Sequence, residues 1–504
     1  MTVSARLLLV PALLLALAGC GGSGGAATGD TLSVAMQFPP RSAYAFDADD
    51  GALLMTLGVA ETLTTVDAEA RPAPSLATAW EQTPDARTWR FTLRDGVTFH
   101  DGTPLTADAV VTALSYISSV SAPPRAVRDI GFTAVADGPL AVLIGTSAPD
   151  PVLPLRMSSG NLGILAPAAY AGGGQPNVVR TGTGPYALTT VNGADSAVLE
   201  RNDTYWGTRP GARTVTIRYV TDPQSRALAL QSGDVQFAEG LPDASVAQLR
   251  SAGARVTGYP AARTVELLLN QAAKPFSDLR VRQAVTAAID RPALAARVLG
   301  GAATPAADLF GSAVPWGSAT AAAGADPDRA RQLLTAAGYG PSSPLTVRLW
   351  TFPNRPEMPL LATAIQAMLA QAGITVKITV GEYSAQEPKV LAGEFDMFLN
   401  SRSYLSDFAD ATSVLTSDYT CKGSYNIDHY CSAEFDELVG TLAGISDVTE
   451  RQKVFTRAAT MLTDDAVGVM IVHPHNTAGE NGTRGFVPDP LSVRPVLPQL
   501  TPAG

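Results

Sequence analysis

The stretch from residue 88 to residue 110 constrains the fold of this chain more than any other segment. Its opening residues place Trp89, Phe91 and Leu93 at alternate positions, with threonine and arginine between them, as a strand that buries one face requires. Two Asp-Gly pairs then predict turns on either side of a short strand, and Thr106 is placed to cap a helix. The expected order of strand, turn, strand, turn and helix indicates an α/β fold.

Further segments carry related patterns. A strand and a Pro-containing turn precede a Leu-Ala-x-x-Trp box at residues 76–80, and the run Gly-Thr-Gly-Pro-Tyr at 182–186 re-enters a sheet. Together with residues 88–110 they resemble the signature of family 5 solute-binding proteins, the peptide- and nickel-binding receptors of ABC importers. The resemblance recurs in the family's order at residues 61–114, 182–240, 266–292, 326–340, 359–382, 395–410 and 423–438.

This resemblance implies an α/β fold of two lobes, like the type II, cluster C periplasmic binding proteins, with a discontinuous first lobe and an extra subdomain. We expect lobe I at residues 31–60, 182–265 and 478–504, its extra subdomain at 61–181, and lobe II at 266–477. Two short apolar runs are candidates for the strands that cross between the lobes as a hinge, at residues 265–270 and 469–473.

The N-terminus predicts export. Its apolar run from residue 7 to residue 17 is too short for a membrane span, which takes about 20 residues, but suits the core of a signal peptide. Leu-Ala-Gly before Cys20 resembles a bacterial lipobox, which implies cleavage after residue 19 and a lipid on Cys20; an ordinary signal peptide is the alternative. We expect a signal peptide at 1–19, a flexible tether at 20–30, and an extracytoplasmic protein anchored to the cell membrane by lipid.

Composition and motifs argue against other function classes. A formal net charge of −10 provides no electrostatic footprint for nucleic acid and no basic face for a membrane surface. Beyond the Gly/Ser tether, the chain has no Gly-x-Ser-x-Gly, His-Glu-x-x-His or Walker motif. We therefore expect neither an enzyme nor a cofactor, with a secreted hydrolase as the alternative because the members of a Ser/His/Asp triad can lie far apart.

One aspartate is a candidate ligand anchor. Residues 395–410 resemble the family's cleft strand and loop, in which an aromatic residue is followed three positions later by an aspartate that pairs with the α-ammonium of a peptide. The matching residues here are Tyr404 and Asp407. An ammonium group sealed from water needs a carboxylate, and removing one partner of such a buried pair costs about 3 to 5 kcal/mol. Alternatively, Asp407 caps a following helix.

Other side chains are expected around the same ligand. A ligand carboxylate would favour the fork of an arginine, for which Arg125, Arg128 and Arg402 are equal candidates. Phe408 and Tyr425 are expected to line the cleft with Tyr404 through their ring faces. The predicted ligand-binding set is therefore Asp407, Tyr404, Phe408, Arg402 and Tyr425.

Cysteine and histidine residues suggest two further features. Besides Cys20, the chain has Cys421 and Cys431, which in an exported protein predict a disulfide; two buried thiols or half of a metal site are the alternatives. His473 and His475 would share one face of a strand and could approach one metal ion. We expect no resident metal, but because of this pair a metal-containing solute remains an alternative.

The expected function follows from the resemblance. We expect a monomeric, lipid-anchored receptor that captures a small solute between two lobes and delivers it to the permease subunits of an ABC importer. An oligopeptide or dipeptide is the first expectation for the solute. A nickel chelate or an opine-like metallophore is the second.

Overall fold

The structure, a computed structural model, describes residues 30–46, 50–318, 320–353, 355–405, 407–491 and 494–503. The predicted signal peptide, Cys20 and nearly all of the predicted tether lie outside these residues. None of the helices in the described ranges has the length and apolar character needed to cross a membrane.

Strands and helices alternate along most of the chain. The strands are β1 (Thr31–Met36), β2 (Thr64–Val66), β3 (Pro72–Pro74), β4 (Ala77–Gln82), β5 (Thr88–Leu93), β6 (Thr133–Ala136), β7 (Ala141–Gly145), β8 (Tyr186–Asn192), β9 (Ser196–Arg201), β10 (Thr214–Tyr219), β11 (Phe237–Glu239), β12 (Arg255–Pro260), β13 (Arg263–Leu269), β14 (Ala303–Pro305), β15 (Leu345–Thr351), β16 (Ile374–Val380), β17 (Met397–Ser403), β18 (Gly468–Glu480), β19 (Thr483–Arg484) and β20 (Thr501–Pro502). The helices are α1 (Gly51–Thr56), α2 (Ala107–Ser119), α3 (Leu153–Arg156), α4 (Pro223–Ser232), α5 (Asp243–Ser251), α6 (Leu279–Ala288), α7 (Arg291–Ala293), α8 (Pro327–Ala336), α9 (Glu357–Gln371), α10 (Tyr383–Leu391), α11 (Thr412–Tyr419), α12 (Ala433–Gly440) and α13 (Val448–Asp464).

The segment that opened the sequence analysis folds largely as expected. β5 buries Phe91 and Leu93, and α2 begins where Thr106 accepts a hydrogen bond from the backbone N–H of Ala109 at 3.2 Å. The predicted strand between the two turns is reduced to a single bridge that joins Thr98 to Pro104, because the turns leave only a few residues between them. This segment belongs to a four-stranded sheet in the order β4-β5-β7-β6.

A large mixed sheet joins the two halves of the fold. Its strand order is β16-β15-β17-β13-β18-β11-β1-β10-β9-β8, and β12 and β14 also pair with β18. The first part of β18 pairs with β13, and its last part pairs with β12 and β11. β12 leads directly into β13, and β18 pairs with both strands. The chain therefore crosses between the two halves twice, once through β12 and β13 and once through β18. The predicted hinge runs at 265–270 and 469–473 fall on these passages.

The buried apolar side chains form clusters whose boundaries differ from those of the expected lobes. One large cluster contains the β15-β16-β17-β13 half of the sheet and the helices packed on it. A second contains the β1-β10-β9-β8 half, the four-stranded sheet, and also Tyr404, Phe408, Phe435 and Phe455, and a smaller third cluster includes residues of α4 and α5. The chain from residue 404 to 462, expected in lobe II, thus shares its core with the extra subdomain. The lobe boundaries remain a prediction.

Cys421 and Cys431 form a disulfide that closes a short loop between α11 and α12. On the loop-entropy model such a crosslink stabilises the fold by roughly 2 to 3 kcal/mol. We expect the Cys421→Ser/Cys431→Ser double variant to lose that amount of unfolding free energy in urea titrations. Reduction of the wild-type protein should reproduce the loss, and an unchanged unfolding midpoint in both cases would contradict it.

Candidate functional site

Two adjoining cavities lie where the two halves of the large sheet meet. The first has a volume of about 620 Å³ and the second about 830 Å³, within the range of small-molecule sites. They are continuous, because both are lined by Gln37, Phe38, Arg263, Arg355, Ser403 and Leu405. Phe38, directly after β1, is 58% exposed, although it is a large aromatic residue. We refer to the two cavities together as the cleft.

Asp407 lies in the wall of the first cavity, in the loop that follows β17. Its side chain is only 7% exposed, and its Oδ1 accepts hydrogen bonds from Arg125 Nε at 3.2 Å and Nη2 at 2.6 Å. The nearby helix α11 is supported by a different residue, since Asp410 Oδ1 accepts from the backbone N–H of Thr412. Asp407 is therefore a cleft residue rather than a helix cap, and its charge is balanced by Arg125.

Arg402 and Tyr425 lie together in the wall of the second cavity. Arg402 donates from Nε and Nη2 to the two carboxylate oxygens of Asp418, at 2.6 and 2.9 Å, and its guanidinium lies 4.5 Å from the centre of the Tyr425 ring. Burial disfavours the charge of Arg402, but the hydrogen bond to Asp418 raises the pKa of Arg402 overall. The predicted arginine is thus already paired.

Tyr404 is a correction to the predicted set. Its side chain is 0% exposed and packs edge-to-face on Phe310, with ring centres 5.4 Å apart. Ser403 and Leu405 line both cavities, and side chains of an extended segment alternate between its two sides. Tyr404 is consequently directed into the core. Phe408, in contrast, lines the first cavity as expected.

The two histidines of β18 do not meet at one ion. His473 is 5% exposed, its Nδ1 lies 3.1 Å from Thr264 Oγ1, and burial lowers its pKa to about 4. His475 lines the first cavity, with its Nε2 2.9 Å from Thr304 Oγ1. Within the described ranges, no group of three or more His, Cys, Asp or Glu side chains is arranged to hold a metal ion.

Two arginines that the sequence analysis missed occupy the centre of the cleft. Arg263 donates from Nη1 to the carbonyl oxygen of Ser401 at 2.8 Å, and burial, followed by repulsion from Arg355 and Arg402, lowers the pKa of Arg263 to about 10. Among the residues the structure describes, neither Arg263 nor Arg355 forms an ion pair. The one sequence signal is that Arg263 begins a strand whose remaining residues are mostly apolar.

Opposite charges dominate the two ends of the cleft. The second cavity is lined by five arginines, Arg125, Arg128, Arg263, Arg355 and Arg402, and by one carboxylate, Asp129. The first cavity shares Arg263 and Arg355 with the second, but it adds the carboxylates Asp243, Glu357 and Asp407. Burial and the nearby Glu357 raise the pKa of Asp243, while its hydrogen bond from Thr477 and the nearby His475 oppose that shift. This arrangement is suited to a small molecule with a cationic group at one end and an anionic group at the other.

Comparison with known proteins is consistent with this geometry. Residues 71–426 match the family model described as bacterial extracellular solute-binding proteins, family 5 middle. The chain is 25% identical over 431 residues to the probable D,D-dipeptide-binding periplasmic protein DdpA of Escherichia coli K12, covering 82% of each chain. It is 26% identical over 471 residues to the nickel-binding periplasmic protein of the same strain, covering 88% of this chain and 89% of the relative.

A solved structure shows the same architecture. The crystal structure of a nickel ABC transporter protein from Bacillus halodurans superposes with a TM-score of 0.82 at 25% identity, over 94% of this chain and 100% of the other. The match confirms the expected two-lobe α/β fold of periplasmic-binding-protein type. The two similar curated proteins differ in the solute that their names give, so similarity alone does not select the solute.

Proposed function

The chain belongs to family 5 of the bacterial extracellular solute-binding proteins, the binding receptors of ABC importers, and from this premise we propose that its solute is a short peptide. The observation that carries the proposal is the separation of charge along the cleft. A peptide with free ends has an ammonium group at one end and a carboxylate at the other. The cleft offers three carboxylates in the first cavity, two arginines that both cavities share, and three further arginines in the second.

Arg263 and Arg355 are proposed to bind the peptide carboxylate. Arg125 and Arg402 already face Asp407 and Asp418, whereas Arg263 is partly buried beside two other arginines, near Glu357, and forms no ion pair among the described residues. A desolvated cluster of like charges is costly, and an incoming carboxylate would relieve that cost with charge-assisted hydrogen bonds. The carboxylate end of the peptide is therefore assigned to the second cavity.

The ammonium end is assigned to the first cavity, with Asp407 as its partner. Asp407 lies in the cleft wall with its carboxylate largely shielded from water, and the ammonium group would share that carboxylate with the half-exposed Arg125. Glu357 and Asp243 line the same cavity and add to the negative potential. Closure of the two halves around the solute would follow from tighter binding to the closed form.

An anionic metal chelate is the second candidate. The arginines of the second cavity favour any anionic solute, His475 faces the first cavity, and one similar protein is named as nickel-binding. Calorimetric titration with a free-amine tripeptide, with its N-acetylated form and with a nickel-histidine complex separates the two candidates. Saturable binding of the tripeptide alone supports the first proposal, and binding of the nickel complex alone supports the second.

Lipid anchoring through Cys20 remains part of the proposal. It rests on the lipobox-like Leu-Ala-Gly-Cys at residues 17–20 and on the Gly/Ser-rich segment behind it. We expect the wild-type protein to partition with membranes, and Cys20→Ser to be released into the aqueous extracytoplasmic fraction, because a lipid chain contributes about 0.8 kcal/mol of membrane binding per buried methylene. Intact-mass measurement checks the result, and a wild-type mature mass without lipid would contradict it.

A further inference from the structure

Three buried carboxyl groups lie directly behind the wall of the second cavity. Glu266 on β13 is 2% exposed, and Asp418 on α11 and Asp428 in the loop before α12 are also buried. The three surround a cavity of about 10 Å³, which Asn400 and Tyr425 also line. That volume holds at most one water molecule. Solvent therefore does little to stabilise the ionised form of these carboxyl groups.

Hydrogen bonds connect these carboxyl groups to residues of the cleft. Glu266 accepts from Asn400 Nδ2 at 3.3 Å and from Tyr419 Oη at 3.0 Å. Asp418 accepts both hydrogen bonds from Arg402. Asn400 and Arg402 line the second cavity on their other side. A change of charge at Glu266 therefore alters the electrostatic environment of two cleft residues, Asn400 and Arg402.

The surrounding charges do not balance the cluster. Arg402 of β17 faces the cluster but is already paired with Asp418. Arg282 of α6 lies near Asp428, but its guanidinium donates to the backbone carbonyl groups of Phe276, Asp465 and Ala466. The other neighbours are Asn400, Tyr419 and Tyr425, while β18 places Met470 beside Glu266. Three carboxylates thus share one direct cationic partner.

Like charges in such a site cannot all ionise near neutral pH. Burial and then the charge of Asp418 raise the pKa of Glu266 to about 7, against the opposing effects of Tyr419, Arg402 and Asn400. Burial and the charge of Glu266 raise the pKa of Asp428 well above its ordinary value. The cluster titrates as a unit, so the proton belongs to the group rather than to one residue.

We propose that Glu266, Asp418 and Asp428 share a proton at neutral pH, and that loss of this proton weakens the binding of an anionic solute group through Arg402 and Asn400. Glu266 is then a positioning residue that acts behind the cleft. This inference relies on the proposed function for the charge of the solute, but its proton is present without solute. Because linkage is reciprocal, binding of an anion should also raise the proton occupancy of the cluster.

Glu266→Gln tests the proposal, because glutamine resembles the protonated form in shape and charge. In the solute-free protein, the ¹⁵N–¹H signal of Arg402 Nε, assigned by its absence in Arg402→Lys, should shift between pH 6 and pH 8. That shift should vanish in Glu266→Gln. After correction for the fraction of tripeptide whose α-ammonium group, with a pKa of about 8, is deprotonated, affinity for a free-amine tripeptide should fall about fivefold between pH 6 and pH 8 in the wild type, and less than twofold in Glu266→Gln.

Glu61→Gln is the matched control. Glu61 is a partly exposed residue whose carboxyl also has a pKa raised by desolvation, and it accepts hydrogen bonds from Tyr205 and Trp206 away from the cleft. This variant should keep both pH responses. A pH-independent Arg402 signal in the wild type, or an unchanged shift in Glu266→Gln, would overturn the proposal. Failure of the tripeptide to bind, with the Arg402 shift intact, would refute the proposed solute and leave the proton assignment standing.

Discussion

Replacing Arg263 by glutamine is expected to weaken peptide binding about 100-fold. Arg263 is partly buried at the junction of the two cavities and makes no ion pair within the described part of the chain. Removing one partner of a buried, hydrogen-bonded charge pair typically costs 2 to 5 kcal/mol, and each 1.4 kcal/mol is tenfold in the dissociation constant. Calorimetric titration with a free-amine tripeptide measures the loss.

Two matched variants separate a specific contact from general electrostatics. Arg263→Lys keeps the charge and can still donate to the Ser401 carbonyl oxygen but lacks the bidentate fork, so an intermediate loss is expected. Arg128→Gln removes an arginine from the same cavity, one that donates to the carbonyl oxygen of Pro123, and should change affinity less than fivefold. Equal losses for Arg263→Gln and Arg128→Gln would contradict the assignment of the carboxylate to Arg263.

Replacing Asp407 by alanine is expected to weaken binding of a free-amine peptide at least tenfold and to leave binding of the N-acetylated peptide unchanged. The physical reason is that the ammonium group loses its carboxylate once the lobes have closed around the solute, whereas an acetylated end carries no charge to pair. Parallel titrations with the two peptides measure the difference. Equal loss for both peptides would remove Asp407 from the ligand contact.

Arg125→Gln is the control for this variant. Arg125→Gln and Asp407→Ala both break the ion pair between Arg125 and Asp407. Arg125 is the more exposed partner, with 54% of its side chain in contact with solvent. Only Asp407→Ala also removes the carboxylate. Arg125→Gln should therefore retain binding of the free-amine peptide. A tenfold loss in both variants would mean that the ion pair, rather than the carboxylate, supports binding.

The scaffold could be predicted from the sequence because it depends on local patterns. Alternation in β5, the Thr106 cap and the apolar runs of β13 and β18 are each readable within a few residues. The same alternation also explains the error at Tyr404, which was assigned to the cleft by its distance from Asp407 rather than by its side of the extended segment. Alternation separates Tyr404 from Ser403 and Leu405, but only the folded chain shows which of the two sides faces the cleft.

The charged lining of the cleft could not be predicted in the same way. Asp243, Arg263 and Glu357 come from three separate parts of the chain and meet only because β12, β13 and β18 bring the two halves together. Likewise, only the folded chain shows that Arg125 and Arg402 already have carboxylate partners. Pairing, more than residue type, decides which arginine is available to a solute, and pairing is a tertiary property.

We propose that this receptor holds a small solute with opposite charges at its ends and releases it unchanged. Native mass spectrometry of protein purified without refolding tests the claim most directly, since a solute trapped between the lobes adds its mass to the folded protein. We predict an added mass that is released on unfolding and is identified by fragmentation as an intact short peptide. A solute-free protein that converts added peptides into products would contradict the account.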